Sequence, residues 1–434
     1  MADVDELLKD VYEELKPDSQ RIRKETEKTI KKINSALGKK KIKAKAIAGG
    51  SVAKGTFLKG DHDCDLFVKF DYNRYKDKDI SGLLEGALRK SFRKVSRVHG
   101  SRDYYHIINE LRYEIIPVLD VKSPAKALNI TDCSLLHVNW VNKFPKMKKD
   151  IMLTKAFCKA AGVYGAESYI KGFSGHVVDI MTIYYGGFLN LLKAASKWKS
   201  KEVLDYYNAH KGKALLNLNR SKTQSPLIVI DPVQPDRNAA AALGDEKFQI
   251  FRKRASEFMK NPSKRFFAAE AVDLDRIRKD AQSKGGKLII IDVKAKTGKE
   301  DVVGAKLLKS LEFIVSQLKQ NDFKIIAHGW KWDKARKAFF WIAVDKKDLP
   351  QTEVREGPPV KVKKHYENFR KAHKNAFEKK GRVYAEVKRK FVNAEVFLRY
   401  LMKTEYIKEK VEEIRIRSEI RMKGKMIKRG KVAS

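Results

Sequence analysis

Along residues 4–15 the apolar positions Val4, Leu7, Leu8, Val11, Tyr12 and Leu15 fall on one helical face, and Pro17 stops the helix. Ile22, Ile30, Ile33 and Leu37 predict a second helix that ends at Gly38. A short strand follows around Ala44–Ala48, then a glycine-rich segment, Gly49-Gly50-Ser51-Val52-Ala53-Lys54-Gly55-Thr56. From Asp63 to Phe70 polar and apolar residues alternate as in a half-buried strand. Another strand spans residues 112–118, so the pattern to residue 145 is mixed α+β.

From residue 146 to 260 the periodicity is mostly helical, punctuated by Gly162, Gly165, Gly172 and Gly175. The loop Asp231-Pro232-Val233-Gln234-Pro235-Asp236-Arg237-Asn238 is rich in turn residues and opens toward what reads as an alanine-rich helix. Asn261-Pro262-Ser263 marks a boundary. The last third begins with a strand over 287–293, followed by a helix with Leu307, Leu308, Leu311, Ile314, Val315 and Leu318 on one face. Strands over 323–328 and 339–344 complete a β-α-β-β order, which predicts a small sheet of a kind often used on RNA. The expected division is 1–145, 146–262 and 263–434, in line with a prior of roughly 150 residues per domain for a chain of 434.

Composition sharpens this. Hydrophobic residues make up 43% and charged residues 34%, enough apolar material for real cores. Lys and Arg number 94 against 54 Asp and Glu, a formal net charge of +40. Charge of one sign on that scale destabilises a compact chain by self-repulsion, so a polyanionic partner is expected, nucleic acid before an anionic membrane. The final fourteen residues hold six Lys or Arg and no acid, and read as a flexible basic tail. Cys64, Cys133 and Cys158 form no CxxC pair, which fits a reducing compartment without a disulfide framework or zinc ribbon. The acidic N-terminus has no apolar signal core, and the run Ile180 to Leu192, interrupted by two glycines, is too short for a bilayer. The expectation is a cytoplasmic protein with no membrane partner.

The chemistry concentrates at Gly50-Ser51 and Asp63-Cys64-Asp65. Residues two apart on a strand point to one face, at Cα positions about 6.6 Å apart. Two carboxylates so placed repel unless a cation lies between them, and hard cations such as Mg²⁺ prefer carboxylate oxygens. Solvated acids on an edge strand are the plainer alternative. The glycine turn upstream shifts the balance, because its backbone N–H groups and the Ser51 hydroxyl can face a triphosphate. It is not a P-loop, since Lys54-Gly55-Thr56 inverts the Gly-Lys-Thr order. Glu114, on the strand Tyr113-Glu114-Ile115-Ile116-Pro117, supplies a third carboxylate if the strands pair. Zinc at His62-Asp63-Cys64-Asp65 is not expected, because consecutive strand residues face opposite ways. Trp330, Trp332 and Trp341 lie among lysines and suit either base stacking or sheet packing.

Together these residues resemble the DNA polymerase β-like nucleotidyltransferase superfamily. More narrowly, Gly50 to Phe70, His137, Lys155-Ala156-Phe157, Gly162-Val163-Tyr164-Gly165-Ala166-Glu167, Lys171-Gly172-Phe173-Ser174-Gly175, Asp231-Pro232-Val233, Asp236-Arg237-Asn238, Asn261-Pro262-Ser263 and the run Gly381 to Lys390 resemble the archaeal (class I) CCA-adding enzymes. The resemblance covers nearly the whole chain. It implies an α+β multidomain fold: a polymerase β-like head, a helical central domain and a C-terminal RNP-like α/β tail. It implies CCA addition to the acceptor end of tRNA from CTP and ATP, with Mg²⁺ held by Asp63, Asp65 and Glu114, and a homodimer as a possible assembly.

Carried over to single residues, it implies that Gly50, Ser51 and Lys54 hold the nucleotide. His137, Lys155 and Tyr164 would contact triphosphate or sugar, and Arg237 would face the base. Read without the family, His137 is a partly buried histidine, Tyr164 a core residue and Arg237 a loop cap or a phosphate contact. Three positions depart from the family's habit. Lys54 stands where arginine is common, Asp63 where glutamate is common, and Glu114 where aspartate is usual; charge is kept throughout. A poly(A)- or oligoadenylate-type transferase, or a non-catalytic RNA-binding protein of the same fold, are the alternatives.

Overall fold

The first helix, Ala2–Leu15, ends two residues before Pro17, and Asp18 caps the next, Ser19–Lys39, by accepting from the Arg21 amide. That helix runs through Gly38 rather than ending there. Its last turn closes when the Lys40 amide bonds to the Ala36 and Leu37 carbonyls, and Lys41, at φ 53°, turns the chain. These coordinates are a computed structural model that describes residues 2–61, 63–269 and 271–417. His62 and the basic segment 421–434 lie outside the described residues. They fall into two compact units, divided between residues 270 and 271. None of the described helices is long and apolar enough to cross a membrane.

In the first unit the strands β1 (Ala44–Ala48), β2 (Asp63–Phe70), β3 (Val95–Val98), β4 (Tyr104–Ile108) and β5 (Arg112–Leu119) form one sheet in the order β1-β2-β5-β4-β3. β2 and β5 run parallel, and the other pairs are antiparallel. Alternation along β2 buries Cys64, Leu66, Val68 and Phe70. They share a core with Ile33 and Leu37 of the second helix and with Leu84 and Leu88 of the helix Ile80–Ser91. The polar residues of β2 and β5 are left on the opposite face, where the chemistry was expected.

A second core in the same unit gathers Phe157, Phe173, Phe188, Phe251 and Phe258 in edge-on and tilted contacts, with Phe248 stacked on Trp198. Leu8 and Val11 of the first helix pack into this core rather than under the sheet. It fixes the helices Lys148–Ala160, which carries Lys155 and Lys159, and Gly175–Tyr184, which carries His176 and Asp179, while His137 lies on the helix Ser134–Val141. Two short parallel strands, β6 (Glu202–Leu204) and β7 (Leu227–Val229), lead into the loop that carries Asp231 and Arg237. The alanine-rich helix expected after Asn238 does not form. The Asn238 side chain takes the Val229 and Ala240 amides, and the Ala239 amide bonds to the Val229 carbonyl, so this backbone is committed to β7. The next helix starts only after Gly244, as Asp245–Lys260.

The second unit holds β8 (Gly286–Ala295), β9 (Ile325–Trp332) and β10 (Lys337–Asp345), joined by β14 (Val411–Ile416) in the antiparallel order β14-β8-β10-β9. The helix Glu300–Gln320 between β8 and β9 buries Leu307, Leu311, Ile314 and Leu318 on it, as its apolar face predicts. A separate three-stranded sheet contains β11 (Thr352–Pro359), β12 (Ala376–Lys379) and β13 (Arg382–Lys388). Trp330 and Trp332 pack against the core, and Trp341 lies under Gly329. All three tryptophans therefore make sheet-packing contacts while staying partly exposed.

Candidate active site

The parallel register of β2 and β5 sets Asp65 beside Glu114 and Asp63 beside Arg112. Asp65 and Glu114 face each other on one side of the sheet. Burial, and after it the Glu114 charge, pushes the Asp65 carboxyl up to about 7, while Lys54 and Lys155 pull it down. The remaining contacts are lateral. Glu114 Oε1 lies 2.8 Å from His106 Nε2 of β4, and Arg112 Nε is ion-paired with Asp63 Oδ1 at 3.0 Å. Asp63 is thus turned toward Arg112 at a half-exposed edge, and Asp65 and Glu114 stand as neighbours across the strand pair.

The glycine turn lies against this pair. The Gly49 amide bonds to the Asp65 carbonyl at 2.8 Å, and Gly50 opens the short helix Gly50–Lys54 at φ +49°. A Cβ on Gly50 would stand 1.7 Å from Asp65 Oδ2. Position 50 therefore demands glycine twice, for its left-handed backbone and for the approach of the carboxylate. Ser51 follows in the first turn, partly exposed.

The cations named from sequence each sit on a carboxylate. Lys54 is buried, and its Nζ donates to Asp179 Oδ2 at 2.6 Å. Lys155, also buried, donates to Asp61 Oδ2 at 2.7 Å, and Lys159 binds the other oxygen of Asp61. The Tyr164 ring stands beside both lysines, 5.8 Å from Lys155 Nζ and 5.3 Å from Lys159 Nζ. Burial opposes the charge on Asp61 and Asp179, yet the lysines hold both carboxyls below the usual range.

Arg237 and His137 meet at Asp231, which is fully buried. Arg237 Nη1 donates to Asp231 Oδ2 at 2.6 Å, and His137 Nε2 lies 3.0 Å from the same oxygen. The Val233 amide donates to the other oxygen at 2.9 Å. Burial would raise the Asp231 carboxyl, but His137 and His176 hold it far below the carboxylate range. Burial in turn lowers the His137 pKa, which keeps that ring uncharged at neutral pH. His176 lies against His137 with ring centroids 4.1 Å apart and the planes tilted by 31°, and its nitrogens reach 3.7 Å from Asp231 and 3.9 Å from Asp179. It links the Arg237 group to the Lys54 pair. His137, His176 and Asp231 bring three ligating atoms within 4.8 Å. A guanidinium already holds the carboxylate, so the cluster joins Arg237, Asp231 and the two histidines into one charge hub.

Sequence reading named the cations and missed their partners. Asp61, His176, Asp179 and Lys159 received no role, and Asp231 was quoted only within a motif. A signal existed at Asp179, a lone acid inside the apolar stretch Val177-Val178-Asp179-Ile180-Met181, where an unpaired charge would be expensive. Lys155 and Lys159, four apart on a helix, share a face.

Family models match along the chain in order: a nucleotidyltransferase domain over residues 27–136, the second domain of tRNA nucleotidyltransferase over 149–268, and the CCA-adding enzyme C-terminal domain over 284–421. The CCA-adding enzyme of Nanoarchaeum equitans is 34% identical over 349 residues, 79% of this chain and 83% of that one. That of Methanothermobacter thermautotrophicus is 26% identical over 407 residues, 90% of this chain and 87% of its own. A solved structure of Cid1, described as having RNA terminal uridylyl transferase activity, superposes with a TM-score of 0.51 at 13% identity, covering 63% of this chain and 99% of that one. That last likeness is one of fold.

Proposed function

The chain belongs to the CCA-adding enzyme family and is a nucleotidyltransferase, and from that premise we propose that it restores the 3′-terminal CCA of tRNA, using CTP and ATP and releasing pyrophosphate. The observation that carries the proposal is the meeting of Gly50, Asp65 and Glu114. A turn without a side chain lies on one member of a repelling carboxylate pair, with Lys54 and Lys155 close enough to act on it. An RNA-binding protein without catalysis has no use for such an arrangement.

The donor set fits a hard divalent cation, since it offers carboxylate oxygens on one sheet face and no soft ligand. Asp63, Asp65 and Glu114 would hold Mg²⁺, which when bound supplies charge neutralisation at the α-phosphate and acidifies the primer 3′-hydroxyl. The chain's own residues do the rest. Gly50 and Ser51 face the triphosphate. Lys54 and Lys155 exchange carboxylate partners for phosphate oxygens and stay on the leaving pyrophosphate, with Tyr164 beside them. His137 gives a neutral hydrogen bond to triphosphate or sugar.

Arg237 reads the base. With Nη1 held by Asp231, its other N–H groups are free to donate, and a guanidinium presents donors only. Donors suit O2 and N3 of cytosine and N1 of adenine, and they clash with N3–H of uracil and N1–H of guanine. Residues 1–145 would carry the acids, 146–262 would complete the nucleotide site, and 263–434 would hold the body of the tRNA in the cytoplasm. The net charge of +40 serves the RNA phosphates. A homodimer is one assembly that the family resemblance allows.

The test is direct. Incubated with Mg²⁺, CTP, ATP and tRNA lacking its last three nucleotides, the protein should give products whose sequenced ends read CCA. Runs of adenosine would instead make it a poly(A)-type transferase, and bound but unextended tRNA would make it a binder.

A further inference from the structure

His176 stands between two carboxylates and is bonded to neither. Its Nδ1 lies 3.9 Å from Asp179 Oδ2 and its Nε2 3.7 Å from Asp231 Oδ1, beyond hydrogen-bond range, and both nitrogens are buried without a partner. Buried polar atoms are normally bonded, so two open nitrogens on one ring call for an explanation. The charged and titratable groups around the ring come from several elements. Asp179 lies on its own helix, His137 on the helix Ser134–Val141, and Asp231 with Arg237 on the loop after β7. Lys54 reaches the ring through Asp179, and Lys155 and Tyr164 act on Asp179 from farther away. Each carboxylate has its own cation, Lys54 on Asp179 and Arg237 on Asp231, so the group balances with His176 uncharged.

Nucleotide binding upsets that balance. When Lys54 moves to a phosphate oxygen, Asp179, with only 5% of its side chain exposed, is stranded as a buried carboxylate. His176 is placed to cover it. A neutral imidazole offers one N–H and one lone pair, so a bond to Asp179 would aim the lone pair at Asp231. Imidazolium donates from both nitrogens and serves both acids. His137 is unsuited to the task, because burial lowers its pKa and its Nε2 already lies at Asp231. Resting on the reading in which Lys54 holds the nucleotide, we infer that His176 takes up one proton from solvent as the nucleotide binds, replaces Lys54 on Asp179, and returns the proton when the site empties. His176 is thus a positioning residue. It does not touch the nucleotide, and it keeps Asp179 neutralised while Lys54 stays with the phosphates.

Calorimetric titration of the full chain with CTP, without tRNA or divalent cation, counts the exchanged protons when repeated at pH 8 in buffers of different ionisation enthalpy. A terminal phosphate with a pKa of about 6 is already ionised there and contributes none. Wild type should take up close to one proton per CTP, and cytidine, which has nothing to draw Lys54 away, should exchange none. By linkage, uptake on binding means that CTP affinity falls as pH rises, by up to about tenfold per pH unit. Uptake and slope should both vanish in His176→Gln, whose amide donates without charge, and in Asp179→Asn, which leaves no carboxylate to cover. CTP binding without proton uptake in wild type would overturn the inference and leave the nucleotide site standing. So would equal uptake with cytidine, or uptake unchanged in folded His176→Gln. Should the variants fail to fold, the wild-type comparison of CTP with cytidine still decides. CTP that fails to bind with or without Mg²⁺ would bring down the nucleotide-site reading together with the inference.

Discussion

The site has two halves built on opposite electrostatic plans. On the sheet, Asp65 and Glu114 confront each other, and their neighbours Arg112 and His106 are attached from the side. In the helical half each cation rests on a carboxylate: Lys54 on Asp179, Lys155 on Asp61, Arg237 on Asp231. The first half is frustrated without a positive partner, whereas the second is complete as it stands. A frustrated half binds what relieves it. A complete half is rigid, and releases its cations only to a ligand that offers more negative charge than a single carboxylate.

This contrast makes opposite demands on substitution. Asp65→Ala should abolish nucleotide addition, by at least about 10³-fold in single-turnover incorporation at saturating Mg²⁺, because the proposed metal site would lose one of its carboxylates. The same variant should melt no lower than wild type, since a repelling charge has been removed. Asp63→Ala should lose activity similarly, and tRNA affinity should hold in both. Marked destabilisation of Asp65→Ala would show that the carboxylate is structural, and the contrast would collapse.

Asp179→Ala should do the reverse. Stranding buried Lys54 without its partner should lower unfolding stability by about 3–5 kcal/mol, read from urea denaturation. Replacing both members, Lys54→Met with Asp179→Leu, should recover most of that loss although the nucleotide site is then damaged. A single Asp179→Ala variant as stable as wild type would mean that the pair is not buried in solution.

The same contrast explains what could be read from the chain. The acid edge is encoded locally: an i, i+2 pair on an alternating strand, a glycine turn just upstream, and a third acid on a strand whose own alternation sets its facing. Asp65 and Glu114 pairing across β2 and β5 was therefore within reach of pattern alone. The helical half is encoded across distance. Lys54 and Asp179 are 125 residues apart, and Lys155 and Asp61 are 94 apart. Without the fold, nothing in the spacing of these residues joins them. The missed turn after Asn238 has the same origin: an alanine-rich run reads as helix until Asn238 and β7 claim its amides.

Arg237 tests whether the complete half discriminates as well as binds. Arg237→Ala should keep tRNA affinity but lower the preference for CTP over UTP by roughly a hundredfold, with a loss of rate. Asp231→Asn should shift selectivity in the same direction and by less, since the guanidinium remains but is no longer charge-anchored. Equal slowing with all four nucleotides, and no detectable UTP incorporation, would remove Arg237 from the base.

The smallest effect is expected at the rim of the acid edge, where Arg112 is ion-paired with Asp63. The pair is exposed, at 44% and 47% for the two side chains, so its worth to stability is about 0–1 kcal/mol. Its bearing on metal binding is larger in kind. As long as Asp63 is turned to Arg112, it is withheld from Asp65 and Glu114, and the guanidinium also repels an arriving divalent cation. Both effects have the same sign. Arg112→Ala should therefore lower the half-saturating Mg²⁺ concentration for nucleotide addition by about two- to threefold, the equivalent of a surface ion pair. Melting temperature and nucleotide KM at saturating Mg²⁺ should be nearly unchanged. A rise in the Mg²⁺ requirement would mean that Arg112 holds Asp63 in its working position. The acid edge would then be pre-built around a cation in the manner of the helical half, and the two plans would be one.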